Sequence, residues 1–550
     1  MSSALKAAAD DPERKVNMKN VHTILSKIKP HHILIVLILS VAIFVRVWRF
    51  GTLPNGLMPD EASTGVDAYD LLHYGMDRNG TSWPVIFISW GGGQNALYAY
   101  AIMPFIAVGG LNPITLRLPM LLSGLLSLPL MYFAGKRTWG TSAGLIAMFL
   151  LAISPWHIIL SRWALESNLL PFVFLCGYCS LLLSEENNLW ILPAAIFFGL
   201  SFYAYGTAYA AIPIFLLFAI PILLKAKRVS AKNLAIGFAV FLVISLPIGL
   251  YIAINSLNLD AIHIGPVTIP RMPVPARYET VSTVFNGLLI KDMIQNSTDM
   301  LSFLWTQTDA LPWNTVDRYG FFYGRIALVG GLISSIIVTP VTLAGALMTI
   351  PLRKSEHRTE RLLLLSWLIV SLVIGTLQDV NVNRLNLIFI PLLLFIACFL
   401  DWLRKRSRIL FVISIVALLA GFVGFNREYH QGIYPVQVSR AFSAGIFQAL
   451  DFAKSRDSAD PICVVPKDNN YIYVLFDNPM NPADYLPTIQ YEDPTALFRM
   501  IESPLGRFTV GLDNCKPDAR TVYVLYRIPP PVSSIRYHKN CFDFVCVYRP

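Results

Sequence analysis

Long apolar blocks separated by short polar segments make up most of the first 425 residues of the chain. A helix needs roughly 20 apolar residues to cross the hydrocarbon core of a bilayer, a length that soluble cores do not require. The pattern therefore predicts a polytopic α-helical membrane protein with about eleven transmembrane helices. Among the predicted spans, the first runs over about His32–Val47, the third over about Ser142–Ile153 and the seventh over about Leu234–Ile254. Spans five and six form a hairpin that turns at Tyr203–Tyr209.

Two polar stretches between the predicted spans are longer than ordinary turns, at residues 50–95 and 255–323. We interpret them as the first and second outer loops. The apolar stretch Ala96–Val108 follows the first loop and is too short to cross a bilayer comfortably. It is therefore predicted to form a re-entrant or interfacial helix.

The distribution of basic residues predicts the orientation in the membrane. The net charge is +10, a balance that would also suit a nucleic-acid-binding protein. Here, however, the basic residues cluster between apolar blocks, for example at Lys136–Arg137 and Arg404–Arg408. This is the positive-inside pattern of cytoplasmic loops. We therefore predict a multi-pass cell-membrane protein with a cytoplasmic N-terminus and no nucleic-acid partner; span 1 is expected to be a signal anchor, since no small-residue cleavage site follows it.

The character of the chain changes near residue 426. We predict a cytoplasmic segment 1–30, a transmembrane domain 31–425 and a small extracytoplasmic α/β domain 426–550. The last domain is predicted to begin with an amphipathic helix, Val436–Ala453. Short β-rich runs separated by turn residues follow. These runs are Ile462–Val465, Tyr471–Phe476, Thr521–Tyr526 and Phe544–Tyr548.

Four of the seven cysteines lie in this last domain: Cys463, Cys515, Cys541 and Cys546. In an exported domain they predict one or two disulfides, and four cysteines allow three pairings that the sequence does not distinguish. Their spacing fits no zinc-binding pattern.

Adjacent carboxylates, Asp60 and Glu61, lie in the first predicted outer loop just after span 1. Carboxylates at a membrane boundary are costly and usually functional, but capping of the following helix explains them nearly as well. Asp67, and more loosely Asp70, share a helical face with Asp60. That face would suit hydroxyl groups or a metal ion, and a solvated helix face is an equal explanation.

Four further polar side chains lie near apolar blocks at the predicted outer face. Arg162 and Glu166 are four residues apart and could form a structural ion pair on one helix face, or Arg162 could hold a phosphate. His157 is more often a hydrogen-bonded packing residue than a catalyst. Arg384 begins an apolar span, where contact with lipid headgroups is the simpler explanation.

Taken together, these groups place carboxylates and arginines at one lipid boundary. Transfer from a phosphate-linked lipid requires such a set, because a base deprotonates the acceptor hydroxyl and cations stabilise the departing phosphate. A transporter or lipid-linked sugar flippase is the first alternative, although no internal repeat or charged broken helix supports it. A noncatalytic scaffold is the second.

Several motifs resemble the protein O-mannosyltransferase and aminoarabinose transferase superfamily, which has the GT-C fold and belongs with glycosyltransferase family 39. They are Arg46–Pro54, Pro59–Ala62 with Gly65 and Asp67, Leu116–Pro119 with Gly124, Ser154–His157 with Ser161 and Arg162, and Arg384 before Pro391. The likeness covers most of the first 180 residues and one later point. The sequence contains no MIR-type repeat, so a prokaryotic branch is expected.

The resemblance implies an inverting glycosyltransferase that moves a sugar, hexose or pentose, from a polyprenyl-phosphate donor to a hydroxyl of a glycan, lipid or protein. It implies Asp60 as the base, Glu61 as its helper, and Arg384 and Arg162 as ligands of the donor phosphate. No cofactor or divalent metal is expected. The remaining candidate substrate-binding residues are Asp67, His157, Glu166, Arg117 and Gln94.

Overall fold

The computed structural model describes residues 30–281, 289–316, 319–325, 329–335, 357–455, 460–465, 471–489, 505–511, 514–515, 520–526, 530 and 536–550. Helices dominate the described part of the chain up to residue 431. Eight of the described helices are long and apolar enough to cross a membrane, by length and composition. The predicted α-helical polytopic architecture is therefore confirmed, whereas the count of about eleven spans stays a prediction.

The helices of the apolar region are numbered in chain order. They are α1 (Pro30–Val47), α2 (Pro59–Tyr74), α3 (Leu97–Gly109), α4 (Pro113–Trp139), α5 (Thr141–Ile153), α6 (Pro155–Leu160), α7 (Glu166–Leu183), α8 (Ile191–Ala204), α9 (Ala208–Lys225), α10 (Ala231–Ser256), α11 (Arg277–Val281), α12 (Leu289–Thr306), α13 (Arg358–Thr376), α14 (Asn386–Arg406) and α15 (Arg408–Gln431). Two small hairpins lie in the loops: β1 (Ile86–Phe87) with β2 (Gln94–Asn95), and β3 (Ile262–Ile264) with β4 (Val267–Ile269).

The bundle has a buried centre and lipid-accessible edges. Helices α7 and α14 are the most enclosed of the eight long helices, at 89% and 78% buried, while α1 and α15 are only 17% and 11% buried. Small residues allow close helix packing, as a Cβ at Gly144 of α5 would lie 2.6 Å from the carbonyl oxygen of Tyr132 in α4. The predicted segment 1–30 lies outside the described residues except for residue 30, and the predicted eighth span, near residues 324–352, lies largely outside them.

The apolar stretch predicted to be interfacial forms the 13-residue helix α3. It packs against α2 and α4, between the first loop and the bundle. Its length is too short for a full crossing, and its position relative to the lipid stays a prediction.

The C-terminal region contains α16 (Tyr434–Ala441), α17 (Ile446–Lys454), β5 (Ile462–Val465), α18 (Tyr471–Asp477), α19 (Pro482–Tyr485), β6 (Phe508–Val510), β7 (Val522–Leu525), β8 (His538–Phe542) and β9 (Val545–Arg549). The five strands form one sheet in the order β6-β5-β7-β9-β8. Strands β6 and β7 are parallel to β5, whereas β9 is antiparallel to both β7 and β8. Disulfides join Cys463 to Cys515 and Cys541 to Cys546.

Two predictions for this region were wrong in detail. The single helix predicted over Val436–Ala453 is two helices, because the chain turns at Gly445, whose φ of 92° ends the helical geometry. The predicted strand Tyr471–Phe476 is helix α18. Its apolar residues are buried on all sides, including against α2, so tertiary packing overrides the β preference of its aromatic and branched residues.

The C-terminal region is docked on the first loop. A Cβ at Gly56 would lie 2.1 Å from the carbonyl oxygen of Phe442, so the two backbones touch there. The Tyr473 hydroxyl of α18 donates a hydrogen bond to the Leu57 carbonyl at 3.0 Å. Helix α2, which carries the acid pair, is thereby held between the bundle and the C-terminal sheet region.

Candidate active site

Asp60 lies in the first turn of α2 and is half-buried. Pro59 precedes it and suits the start of a helix, where a missing backbone N–H costs nothing. The Trp90 indole donates a hydrogen bond from Nε1 to Asp60 Oδ1 at 2.8 Å. The other carboxylate oxygen makes no hydrogen bond within the described residues, so Asp60 retains an oxygen that can accept a proton.

Glu61 is fully buried and belongs to a structural ion pair. The Arg117 guanidinium of α4 donates to both carboxylate oxygens at 2.9 Å, and the Ala164 backbone N–H donates to Oε1 at 2.6 Å. Arg117 also donates to the carbonyls of Pro54 and Gly56. These contacts give both side chains a structural role, and the predicted helper role of Glu61 and substrate-binding role of Arg117 stay predictions.

Asp67 lies about two helical turns further along α2. It is also fully buried and pairs with Arg78 through a short side-chain contact. The Arg78 backbone N–H donates to the same carboxylate at 3.2 Å. The predicted acidic face is therefore not open to solvent or substrate. Burial is the main cause that raises the pKa of the neighbouring Asp77 to about 7 and that of Asp70 to about 9.

Arg162 is fully buried as well, and its guanidinium ties together the turn after α1. It donates to the backbone carbonyls of Val45, Arg46, Arg49 and Leu53 at 2.7 to 3.2 Å. These contacts give Arg162 a structural role, and its predicted contact with the donor phosphate stays a prediction. The alternative ion pair with Glu166 does not form, because the helix breaks between them at residues 161–165.

His157 is buried in α6 beside α1. Its Nδ1 lies 2.9 Å from Nη2 of Arg46. Because a guanidinium only donates hydrogen bonds, Nδ1 is the acceptor and the ring is a packing residue rather than a substrate contact. This contact agrees with the simpler explanation from the sequence, and the predicted substrate-binding role of His157 stays a prediction.

Glu166 joins three segments at the start of α7, where it is only 3% exposed. The Gln94 side-chain amide donates to Glu166 Oε2 at 3.1 Å and to Thr64 of α2 at 3.0 Å. Arg277, at the start of α11, places Nη1 4.0 Å from Glu166 Oε1. Asp60 is close enough to interact electrostatically with both Glu166 and Arg277.

A cavity of about 310 Å³ opens beside these groups. Its wall is mostly apolar and aromatic, with Glu166 and Arg277 contributing charges of opposite sign. The lining residues are Ile86, Gly92, Gly93, Asn95, Glu166, Tyr205, Gly206, Thr207, Tyr209, Ala210, Tyr251, Ile252, Arg277, Tyr278, Ile374, Leu377 and Gln378. An apolar cavity with a few convergent polar groups is typical of a ligand site.

Arg384 lies next to this cavity, between α13 and α14. Its Nη1 donates to Asp379 Oδ2 at 2.8 Å, and its side chain is 17% exposed. It is also close enough to interact electrostatically with the hydroxyl of Tyr205, which lines the cavity. Burial raises the pKa of that hydroxyl, so Tyr205 stays a neutral hydrogen-bonding group at physiological pH.

Several known proteins are similar to this chain in sequence or in fold. Residues 77–251 match a family model described as dolichyl-phosphate-mannose-protein mannosyltransferase, which is less than half of the chain. A stretch of 132 residues is 31% identical to the mannosyltransferase candidate YycA of Bacillus subtilis (strain 168). That match covers 24% of this chain and 19% of the relative, so the chain matches about a fifth of the length of this curated protein.

The decisive likeness is structural. Apo ArnT from Cupriavidus metallidurans superposes with a TM-score of 0.53 at 14% identity, over 93% of this chain and 97% of that chain. The structure of ArnT bound to undecaprenyl phosphate gives the same TM-score at 13% identity, with the same coverage. This chain has the GT-C fold. The fold that the sequence resemblance implied is thereby confirmed.

Within the GT-C fold the family match covers only part of the candidate site. Gln94, Glu166 and Tyr205 lie within residues 77–251, whereas Asp60 precedes that range and Arg384 follows it. The roles of Asp60 and Arg384 therefore stay predictions that rest on geometry.

Sequence reasoning missed Arg277, Tyr205 and Trp90. Arg277 lies in the second predicted outer loop, and its backbone N–H donates to the Gly92 carbonyl of the first loop at 2.7 Å. A basic residue in a predicted outer loop departs from the positive-inside pattern, and this was the one available signal. Nothing local distinguishes Tyr205 or Trp90 from other aromatic residues at a membrane boundary.

Within the described residues, no group of three or more His, Cys, Asp or Glu side chains could hold a metal ion. The expectation that the reaction needs no metal stays a prediction.

Proposed function

We propose that this protein is a membrane glycosyltransferase that moves a sugar from a polyprenyl-phosphate donor to an acceptor hydroxyl. The observation that carries the proposal is the hydrogen bonding of the Asp60 carboxylate. Among Asp60, Glu61 and Asp67 in α2, the last two are buried in ion pairs with arginine, while one oxygen of Asp60 accepts no hydrogen bond from the described residues. It is also close to the two cavity-lining charges, Glu166 and Arg277.

In the proposed reaction, Asp60 accepts the proton of the acceptor hydroxyl as its oxygen attacks the anomeric carbon. The bond between that carbon and the phosphate oxygen breaks, and the lipid phosphate leaves with both bonding electrons. Attack opposite the leaving group inverts the anomeric centre. A positioned base contributes about 10²- to 10⁴-fold to the rate of such a step.

Two arginines on the cavity side are suited to the donor phosphate. The side chain of Arg277 is 50% exposed and lies opposite the buried Glu166, while Arg384 is held by Asp379 beside Tyr205. Guanidinium groups bind phosphate oxygens through paired hydrogen bonds and stabilise the charge that develops as the phosphate leaves. Support from outside the chain comes from ArnT, whose solved structure contains undecaprenyl phosphate.

Glu166 is suited to orient substrate rather than to act as the base. It is 3% exposed, accepts a hydrogen bond from Gln94 and faces Arg277. A carboxylate held in this way can accept hydrogen bonds from sugar hydroxyls at the cavity wall. We extend the same proposal to Gln94, which connects Glu166 to α2.

The finer features of the proposal concern orientation and substrates. We propose that the N-terminus is cytoplasmic and that the C-terminal sheet region is extracytoplasmic, which puts Asp60 and the cavity at the outer face. The two disulfides of the sheet region support this orientation, because such bonds persist in oxidising compartments. The sugar is a hexose or pentose, and the acceptor is a glycan, lipid or protein.

Mass spectrometry of reactions with purified full-length protein tests the proposal. A panel of synthetic polyprenyl-phosphate sugars is incubated with glycan, lipid and protein acceptors in nanodiscs. Transfer of one sugar with release of polyprenyl phosphate is the expected result, and the configuration of the product by NMR tests inversion. If vesicle assays instead show movement of intact donor between leaflets without transfer, the flippase alternative replaces the proposal.

A further inference from the structure

The turn that contains Trp90 has an unusual backbone. Trp90 has a φ of 50°, and Gly91 and Gly93 after it have φ values of 85° and 100°. Glycine adopts this left-handed region at no steric cost, but a bulky residue does so only when its surroundings impose it. Such strain persists at positions that the fold holds in place, and it is often found at functional sites.

Two side chains contact the indole ring of Trp90. The Arg78 guanidinium lies 5.1 Å from the ring centroid, and the Tyr471 ring meets the indole edge-on at a centroid distance of 6.2 Å. Both arrangements are favourable, as a cation over an aromatic face and as an edge-to-face aromatic pair. The indole N–H of Trp90 is thereby directed at Asp60, 2.8 Å away.

Arg78 is itself fixed in position. It pairs with Asp67, and it donates to the Ser63 carbonyl at 3.3 Å and to Ser89 Oγ at 2.7 Å. The Tyr471 hydroxyl is also close enough to interact electrostatically with the guanidinium. The buried ion pair between Asp67 of α2 and Arg78 therefore supports the Trp90 ring rather than the substrate.

Tyr471 comes from α18, more than 370 residues away from Trp90 in the chain, counting by residue number. Helix α18 packs on α2, where a Cβ at Gly65 would lie 2.9 Å from the ring of Phe476. The neighbouring Tyr485 hydroxyl donates to the Arg78 carbonyl at 2.9 Å. The C-terminal region thus contacts the support of Asp60 at several points.

We propose that Trp90 is a positioning residue for Asp60, and that Tyr471 of the C-terminal region holds the Trp90 ring in its working orientation. This inference rests on the proposed function and deepens it. The indole N–H fixes one oxygen of Asp60 and leaves the other to accept the proton. The C-terminal region is then part of the site, and its docking completes the catalytic geometry.

Steady-state kinetics of four variants test the proposal. Trp90→Phe keeps an aromatic ring and removes the N–H, Tyr471→Leu removes the edge contact, and a third variant combines them. Tyr473→Phe is the matched control, because it removes another hydroxyl that α18 donates to the first loop without contacting Trp90. Loss of a hydrogen bond to a charged group predicts a fall in kcat of about 10- to 100-fold for Trp90→Phe.

Three kinetic results are expected together. The KM for the donor stays within about two-fold in Trp90→Phe, since the substrate contacts are intact. Tyr471→Leu lowers kcat by less, and the combined variant is no slower than Trp90→Phe, because Tyr471 acts through the same ring. Tyr473→Phe keeps the kcat of the unmodified protein. Additive losses in the combined variant, or an unchanged kcat in Trp90→Phe, would overturn the proposal while the transferase function stands.

Hydrogen–deuterium exchange gives a second measurement that does not depend on transfer. Peptides covering residues 86–95 should exchange faster in Tyr471→Leu than in Tyr473→Phe, while peptides within α4 remain unchanged in both. If no sugar transfer is found for the unmodified protein, the proposed function fails. Equal exchange of residues 86–95 in the two variants would overturn the positioning by Tyr471 whatever the transfer assay shows.

Discussion

The first turn of α2 carries two adjacent carboxylates in opposite environments. Glu61 points into the protein, where it meets Arg117 and the backbone of Ala164, and none of its surface is exposed. Asp60 points to the other side and is half-buried, and among the described residues its carboxylate accepts a hydrogen bond from the indole of Trp90 alone. Because successive residues on a helix point about 100° apart, neighbours in sequence readily serve unrelated purposes.

The same contrast separates the two arginines that were assigned to the donor phosphate. Arg162 donates to four backbone carbonyls and is fully buried, whereas Arg384 has one acidic partner and remains partly exposed beside the cavity. A buried charge needs partners, since an unpaired buried charge is very costly. A charged side chain with exposed surface and few protein partners can also contact a substrate.

Removal of the exposed carboxylate should produce the largest effect on activity. Asp60→Asn keeps the size of the side chain and cannot accept the proton, so we expect transfer to fall by about 10²- to 10⁴-fold, with normal membrane insertion. Mass-spectrometric rates of sugar transfer check this. Asp260→Asn, the same change at an exposed residue of the second loop, is the control and should keep full activity. Full activity of Asp60→Asn would refute the assignment of the base.

Removal of the sealed carboxylate should instead act on folding. Glu61→Ala leaves the Arg117 guanidinium buried without its acid, and breaking such a pair costs about 3–5 kcal/mol. We expect a strongly lowered yield and Tm of the purified protein, measured by thermal denaturation in detergent. Glu186→Ala breaks the exposed ion pair with Arg137 and should cost less than about 1 kcal/mol. Comparable losses in the two variants would show that burial does not separate these carboxylates.

Arg384 and Arg162 should differ in the same way, one affecting activity and the other stability, with a smaller effect on activity than at Asp60. In Arg384→Gln we expect kcat/KM for the donor to fall by about 10- to 100-fold through loss of a charge-assisted hydrogen bond, with little change in Tm. Arg162→Gln should lower the Tm, because four carbonyl groups lose a donor. Donor titrations and melting curves on both variants check the pair of expectations. The reverse result, with Arg162 affecting the donor and Arg384 the melting temperature, would contradict the division.

Much of the fold could be predicted from the sequence because it follows from local features. The length of each apolar block predicts a span, and Gly140 and Ser230 mark helix starts at the ends of such blocks. The strand prediction at α18 failed because its aromatic and branched residues favour strands locally, and only packing on a helix some 400 residues earlier in the chain makes it helical.

The candidate site could be predicted only in part. The position of Asp60 follows from its place at the start of a helix after a span. Its separation from Glu61 depends on Arg117, which is 56 residues away, and no local pattern predicts that pairing. Arg277 and Trp90 reach the site through loop conformations, including a positive φ at Trp90 for which the residue type gives no indication.

The smallest expected effect is a change in how the stability of the protein depends on pH, caused by the buried carboxyl groups of Asp70 and Asp77. Burial raises the pKa of Asp77 to about 7 and that of Asp70 to about 9, above the ordinary value of a free aspartate. Both groups hold protons in the folded state at pH values where the unfolded chain has lost them. Their contribution to stability should therefore be highest at low pH and decline as the pH rises from about 4 towards 9, because the unfolded state then binds fewer protons at these two residues than the folded one.

Asp70→Asn removes one of these two titrating groups while keeping the size of the side chain. We expect its Tm to fall less than that of the unmodified protein between pH 7 and pH 9, by on the order of a few degrees. Melting curves in one detergent across that range measure the difference, and Asp260→Asn, at an exposed carboxylate, is the control. An identical pH dependence in all three proteins would mean that Asp70 is not held protonated by the fold. If Tm depends less on pH in Asp70→Asn alone, then Asp70 is a buried, protonated group, and α2 carries buried carboxyl groups beyond its first turn.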